Sequence, residues 1–257
     1  MPAFQTTRSR WAWMRPPLRE HIETNGIDLD CSRVVMEKQP AAFALIARRG
    51  EAGWVGGMGT LRSHRRRGLG TSALVSGIEA ARERGCTSLW LEVLDSNRAA
   101  ARLYEKLGFE FQRELTVWSL PATRKDPPRF RSVGPDSAHG WIVAHRRCRE
   151  PWQRADASLA AMRARGAPVR GLVVERDGKV NAAVVCRDGG DQVTVLQIAA
   201  TDEASAADAL LATAEGQRDL RLANVPDEEL SSCALRSLGA RAVVAQHEMR
   251  LAHLSRA

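Results

Sequence analysis

Apolar residues recur along the chain at two different spacings. Leu69, Ala73, Leu74, Ile78 and Ala81 follow one another at helical intervals, as expected of a helix with one buried face. Ser32–Met36 alternates, Ala41–Ala47 is a continuous apolar run, and a turn near Gln39-Pro40 joins the two as a pair of strands. Upstream, Pro17 to Thr24 reads as a short helix with proline at its start, ended by Asn25-Gly26. Gly53 to Gly59 holds four glycines in seven residues, a poor intrinsic strand, so a closely approaching ligand or backbone is the expected reason for it. Ser88–Leu94 is the next strand. Asp95, Ser96 or Asn97 can cap the helix after it, and Gly108 stops that helix. Phe109–Arg113 and Glu114–Leu120 read as a hairpin-like pair. Antiparallel strands, helix, parallel strand, helix and strands make an α+β sandwich rather than a doubly wound sheet.

A proline-rich charged stretch, 121–128, then reads as a linker. Beyond it the pattern predicts helices over 138–147 and 154–164. Strands follow over 169–175, 179–186 and 192–199, with Asp177-Gly178 and Asp188-Gly189-Gly190 as turns. A helix over 204–215, a strand over 220–225, a helix over 227–238 and two last strands complete the set. This second half repeats the first. A shift of 131 residues lays Leu91 on Leu222, Leu107 on Leu238 and Gly108 on Gly239 without a gap. The expected organisation is therefore a domain over 1–120, the linker 121–128, and a related domain over 129–257.

Length and charge add limits. At 257 residues with 44% hydrophobic content, the chain can bury a sizeable core. The N-terminus has no apolar run of signal-peptide length, and no stretch approaches a membrane span, so a cytoplasmic protein without a membrane partner is expected. The five cysteines are scattered and form no C-x-x-C pair, which fits reduced core thiols and no metal site. The net charge of +8 comes almost wholly from arginine, a bias that says little about partners. A basic surface can still steer a polyanion.

The candidate chemistry lies at Arg65-Arg66-Arg67-Gly68-Leu69-Gly70-Thr71. Glycines just ahead of a helix leave backbone N–H groups uncovered at the positive end of its dipole, which suits a phosphate or pyrophosphate. Arg65-x-x-Gly68-x-Gly70 resembles the Q/R-x-x-G-x-G/A loop of the GCN5-related N-acetyltransferases (GNAT), which take an acyl group from acyl-coenzyme A. The likeness runs from Val55 to Leu120, and LEVLDSNRAAARLYEKLGF is similar to the catalytic segment of the ribosomal-protein N-terminal acetyltransferases in that family. The two-half plan resembles the tandem members.

The resemblance implies acetyl-coenzyme A as co-substrate and a primary amine as acceptor, either a small molecule or a protein N-terminus. It places the pantetheine arm along Gly59, Thr60 and Leu61, the pyrophosphate on Arg65 to Thr71, and a further contact on Asn97. It also makes Glu92 the general base and Tyr104, the sole tyrosine, the general acid toward the coenzyme A thiolate. Glu37 and Glu114 are reserve bases, and His64 reads as a loop residue. The 131-residue shift lays Glu92 on Ala223, Asn97 on Glu228 and Tyr104 on Leu235, so the second half is expected to be degenerate. A family of this kind opens with a strand and two helices, and only one helix fits before Ser32. Either the start lies upstream or the acceptor side is open.

Gly68-x-Gly70-x-x-Ala73 also fits a dinucleotide fingerprint, but the polar run Arg62–Arg67 separates it from the preceding strand. A P-loop is excluded because no lysine follows the second glycine. Arg62–Arg67 lacks the interleaved aromatics of a nucleic-acid surface. The remaining rival is a non-catalytic acyl-coenzyme A binder, a sensor or scaffold.

Overall fold

The computed structural model describes residues 3–4, 16–122, 127–215, 218–252 and 254. The elements run β1 (Ala3–Phe4), α1 (Pro16–Asn25), β2 (Ile27–Met36), β3 (Pro40–Arg49), β4 (Ala52–Thr60), α2 (Leu69–Glu83), β5 (Ser88–Leu94), α3 (Arg98–Lys106) and β6 (Glu110–Leu120). They continue as β7 (Phe130–Val133), α4 (Pro135–His145), α5 (Asp156–Ala164), β8 (Val169–Arg176), β9 (Lys179–Gly189), β10 (Gln192–Ala200), α6 (Glu203–Thr213), β11 (Asp219–Pro226), α7 (Leu230–Ser237) and β12 (Arg241–Leu251). Residues 123–126 of the expected linker lie outside the described residues.

Two compact units result. The first holds the residues through Gln112 and those from His247 on; the second holds Arg113–Gln246. Within the first unit the strand order is β1-β2-β3-β4-β5-β12, and within the second it is β6-β11-β10-β9-β8-β7. In each, antiparallel hairpins lead to a parallel pair, β4 beside β5 and β10 beside β11. The core of the first unit is Ala44, Ile46 and Val55 under Ala73, Leu74 and Ala80 of α2, with Leu89, Leu91, Val93, Tyr104 and Phe109. Helix α2 lies close on β3: a Cβ at Gly77 would stand 3.0 Å from Ile46 Cγ1. The second unit packs Leu172, Val184, Val195, Leu210, Leu222 and Leu235 together, and a smaller cluster around Ile142 and Leu159.

The expected boundary in 121–128 differs from the division found, which falls inside β6 and β12. Neither of these is the strand pair read from the sequence. Each is one continuous strand, and no glycine, proline or asparagine between Phe109 and Leu120 bends the first. The 131-residue shift carries β6 onto β12 end to end. Thus Leu120, Ser119 and Trp118 of β6 pair with Leu220, Arg221 and Leu222 in the second unit, while β12 lies beside β5 in the first. Helix α3 stops at Gly108, whose φ of +87° is open to glycine and costly for other residues. Among the cysteines, Cys31, Cys86 and Cys186 are buried core thiols, whereas Cys148 is half-buried and Cys233 exposed; all five are free.

Candidate active site

Parallel strands β4 and β5 are paired only over Ala52–Trp54 and Ser88–Trp90. Beyond these, β4 runs on to Thr60 and β5 to Leu94. A register shift helps part them: Leu45 faces Gly57 and Ile46 faces Val55, which leaves Gly56 as a bulge residue in β4. The glycines of this strand chiefly make room for the protein's own side chains. A Cβ at Gly56 would stand 2.5 Å from Ile27 Cδ1 and 2.6 Å from the Trp54 ring, and one at Gly59 would stand 2.8 Å from the Phe43 ring. At Gly56 and Gly59 the close approach is made by the side chains of Ile27, Trp54 and Phe43.

At the end of β4, Leu61 N–H donates to Ala41 O and Arg65 Nε donates to Thr60 O at 3.3 Å. A single 3₁₀ turn, Arg62–His64, leads to the basic loop. Arg66 has φ +62° and Gly68 φ +78°, so both residues are left-handed just before α2. Gly68 is the N-cap of α2 and supplies no side-chain cap. The first amides of a helix have no intrahelical acceptor, so those of Leu69, Gly70 and Thr71 lie at the positive end of the dipole. A Cβ at Gly68 would meet open space, whereas one at Gly70 would stand 2.7 Å from Thr60 Oγ1. Arg65 and Arg66 are exposed. Arg67 makes a two-point pair with Glu37, at 3.0 and 2.5 Å, and His64 Nε2 lies 3.4 Å from the same carboxylate. The reserve base Glu37 is thereby engaged at the loop.

Glu92 stands with Trp90 on one face of β5, since Leu89, Leu91 and Val93 point into the core on the other. The indole Nε1–H of Trp54 donates to Glu92 Oε2 at 2.7 Å. His21 of α1 completes this side: its Nε2–H donates to Gly56 O at 2.9 Å, and the Asn25 amide lies 3.2 Å from Nδ1. A carbonyl can only accept, so the Gly56 bond places the ring proton on Nε2. Tyr104 belongs to the opposite face, buried among Leu91, Val93 and Phe109, with the Phe109 ring edge-on at 5.8 Å. Burial pushes its phenol up to about 12, so it keeps its proton at neutral pH. Glu92 and Tyr104 therefore flank the parting strands from two sides. Asn97 is the N-cap of α3, its Oδ1 accepting from Ala100 N–H at 3.3 Å. Glu114, the other reserve base, belongs to the second unit.

Sequence reading missed Trp54, His21 and Phe43. The available signal was an aromatic residue two positions from a glycine pair.

In the second unit β10 and β11 pair over Gln192–Val195 and Asp219–Leu222, and a register shift follows in β10, against β9, at Leu196. The helix in the place of α2 starts differently: Asp202 caps α6, its Oδ1 accepting from Ser205 N–H at 2.8 Å. The unit's own carboxylate thus takes one of the amides at the start of this helix. Its buried charges are Arg154 between Glu150 and Glu229, at 3.1 and 3.0 Å. Burial pushes the Glu150 carboxyl up to about 7, against the pull of Arg154. Among the described residues, no group of three His, Cys, Asp or Glu is placed to hold a metal ion, and no helix is long and apolar enough to cross a membrane.

The sequence model of the acetyltransferase (GNAT) family matches residues 2–109. The matched stretch, under half of the chain, is similar to the GNAT family. One relative, the [ribosomal protein bS18]-alanine N-acetyltransferase of Escherichia coli (strain K12), is 50% identical over 46 residues, 18% of this chain and 31% of that protein. The chain thus spans under a third of the length of the curated relatives it matches. The GNAT fold extends over both units. The GCN5-related N-acetyltransferase from Sphaerobacter thermophilus superposes with a TM-score of 0.66 at 15% identity, covering 90% of this chain and 83% of that one. A tandem GNAT protein from the clavulanic acid biosynthesis pathway gives 0.60 at 15% identity, over 88% of this chain and 83% of that one. The fold is α+β, as the sequence pattern implied.

Proposed function

We propose that the chain transfers an acetyl group from acetyl-coenzyme A to a primary amine, using a single site in the first unit. The observation that carries this reading is the parting of β4 and β5 with an uncapped, glycine-led helix at its mouth. The residues fit the co-substrate. The pyrophosphate would sit on the amides of Leu69, Gly70 and Thr71, with Arg65 and Arg66 as exposed counter-charges and Arg67 held by Glu37. The pantetheine arm would follow Gly59, Thr60 and Leu61 along the free side of β4, with Asn97 at the start of α3 beside it.

The amine nitrogen attacks the thioester carbonyl as the C–S bond breaks and a C–N bond forms. Glu92 accepts one proton from the ammonium before attack, directly or through a water, and later returns it to solvent. Tyr104 gives its proton to the departing thiolate, and the second proton, shed by the nitrogen as it becomes the amide, restores the phenol through solvent. An α-amine, with pKa near 8, is easier to deprotonate than a lysine, near 10.4, by roughly 3 kcal/mol. With the segment shared with the bS18-alanine enzymes, this favours a protein N-terminal amine as acceptor. The second unit, with Asp202 on its helix and Ala223 and Leu235 in the places of Glu92 and Tyr104, is read as degenerate.

The test is release of free coenzyme A from acetyl-coenzyme A with a panel of peptides bearing free N-termini and of small amines. Turnover with at least one amine is expected. Binding without release for every amine would instead mark a sensor or scaffold.

A further inference from the structure

We infer that Trp54 is a positioning residue that holds the Glu92 carboxyl aimed at the gap between β4 and β5; this rests on reading Glu92 as the base. Trp54 is the last β4 residue paired with β5, and its side chain is 1% exposed. From there its indole reaches Glu92 Oε2 at 2.7 Å, two residues past the last β5 pair. The ring is fixed by its surroundings. It lies over the bulge at Gly56 against Ile27, where a Cβ at position 56 would be 2.5 Å from Ile27 Cδ1 and 2.6 Å from the indole. The His21 ring stands 6.0 Å away, itself tied to Gly56 O. A donor in so closed a seat cannot swing to follow the carboxylate. It therefore fixes one oxygen of Glu92 and leaves the carboxylate its direction.

A hydrogen bond to the charged form of a carboxylate lowers its pKa. Removing this N–H should raise the Glu92 pKa by about one to two units, the worth of a hydrogen bond to a charged group. The other titratable groups on this side are His21 from α1, Arg250 (over the Trp90 ring at 5.2 Å) and the buried Glu248 on the same face of β12, and the Asp95–His247 pair at the end of β5. Of these, only the His21 ring stands against the indole, and its bond to Gly56 O does not involve Trp54.

The test is carboxyl ¹³C NMR titration of the full chain labelled at glutamate Cδ, with Glu92→Gln assigning the resonance. In Trp54→Phe the Glu92 titration should move up by about one to two units. If Phe does not fold, benzothienylalanine at position 54 keeps the bicycle and lacks only the N–H. An unmoved Glu92 titration in a folded variant overturns the inference. The acid limb of the turnover profile should move by the same amount. The two readings fail separately: an active Glu92→Gln removes the base, whereas an unmoved titration removes only the role of Trp54.

Discussion

Residues 1–120 expressed alone should yield no soluble, folded protein. Such a fragment ends at the linker, where sequence composition suggests a boundary, yet it lacks the end of β12. Met249, 2% exposed, is part of the first unit's core with Leu251 beside it, and β5 would be left as an open edge. The fragment would also bare Leu115, Val117, Trp118 and Leu120, which are buried in the second unit. Burying one such side chain is worth roughly 1.5–3 kcal/mol, and an open strand edge invites aggregation. Losing Met249 and Leu251 removes a large part of the stability of a typical domain, about 5–15 kcal/mol, while the bared residues of β6 add an apolar surface that favours aggregation. Solubility and circular dichroism of the fragment, beside residues 1–112 joined through a short linker to 247–254, check this. The joined form should fold better than the fragment. A cooperatively folding 1–120 fragment would show that β12 is dispensable to the first unit.

The second large effect concerns the chemical step. Glu92→Gln and Tyr104→Phe should each lower kcat by about 10²- to 10⁴-fold, the usual contribution of a proton-transfer group, with little change in affinity for acetyl-coenzyme A. Glu92→Gln should also remove the acidic limb of the pH profile. Tyr104 carries no limb in the working range. Its folded pKa, pushed up to about 12 by burial, keeps the phenol protonated at every lower pH and ready to donate. Its contribution to stability runs with the same sign, present below the ordinary tyrosine pKa and lost as pH rises through about 12. Single-turnover kinetics with the acceptor found in the amine panel check both variants. Normal rates in both would end the assignment of base and acid.

How much of this was legible in the sequence depends on the range of the forces involved. The amphipathic face of α2, the strand at Ser88–Leu94 and the stop at Gly108 are local, and their patterns state them directly. The basic loop is local too, because a helix start needs only its own glycines to bare its amides. The exchange of β6 and β12 was not legible. The two strands have equal length and lie 131 residues apart in the repeat, so neither carries a local mark of the unit it completes. The bulge at Gly56 escaped for a related reason: four glycines invite the thought of a ligand, while the rings that fill the space come from Trp54 and Phe43. The indole bond to Glu92 spans 38 residues, and only the fold brings its ends together.

Calorimetric titration of the full chain with acetyl-coenzyme A tests the location of the site most directly. One equivalent per chain should bind, since α2 starts with open amides and α6 with its own Asp202 carboxylate. Gly70→Glu should abolish that binding by placing a carboxylate among the amides. Because a side chain there also presses on Thr60, Arg66→Glu on the exposed loop serves as the milder partner and should weaken binding. Two equivalent sites, or unchanged affinity in folded forms of both variants, would contradict a single phosphate-binding loop at Arg65–Thr71.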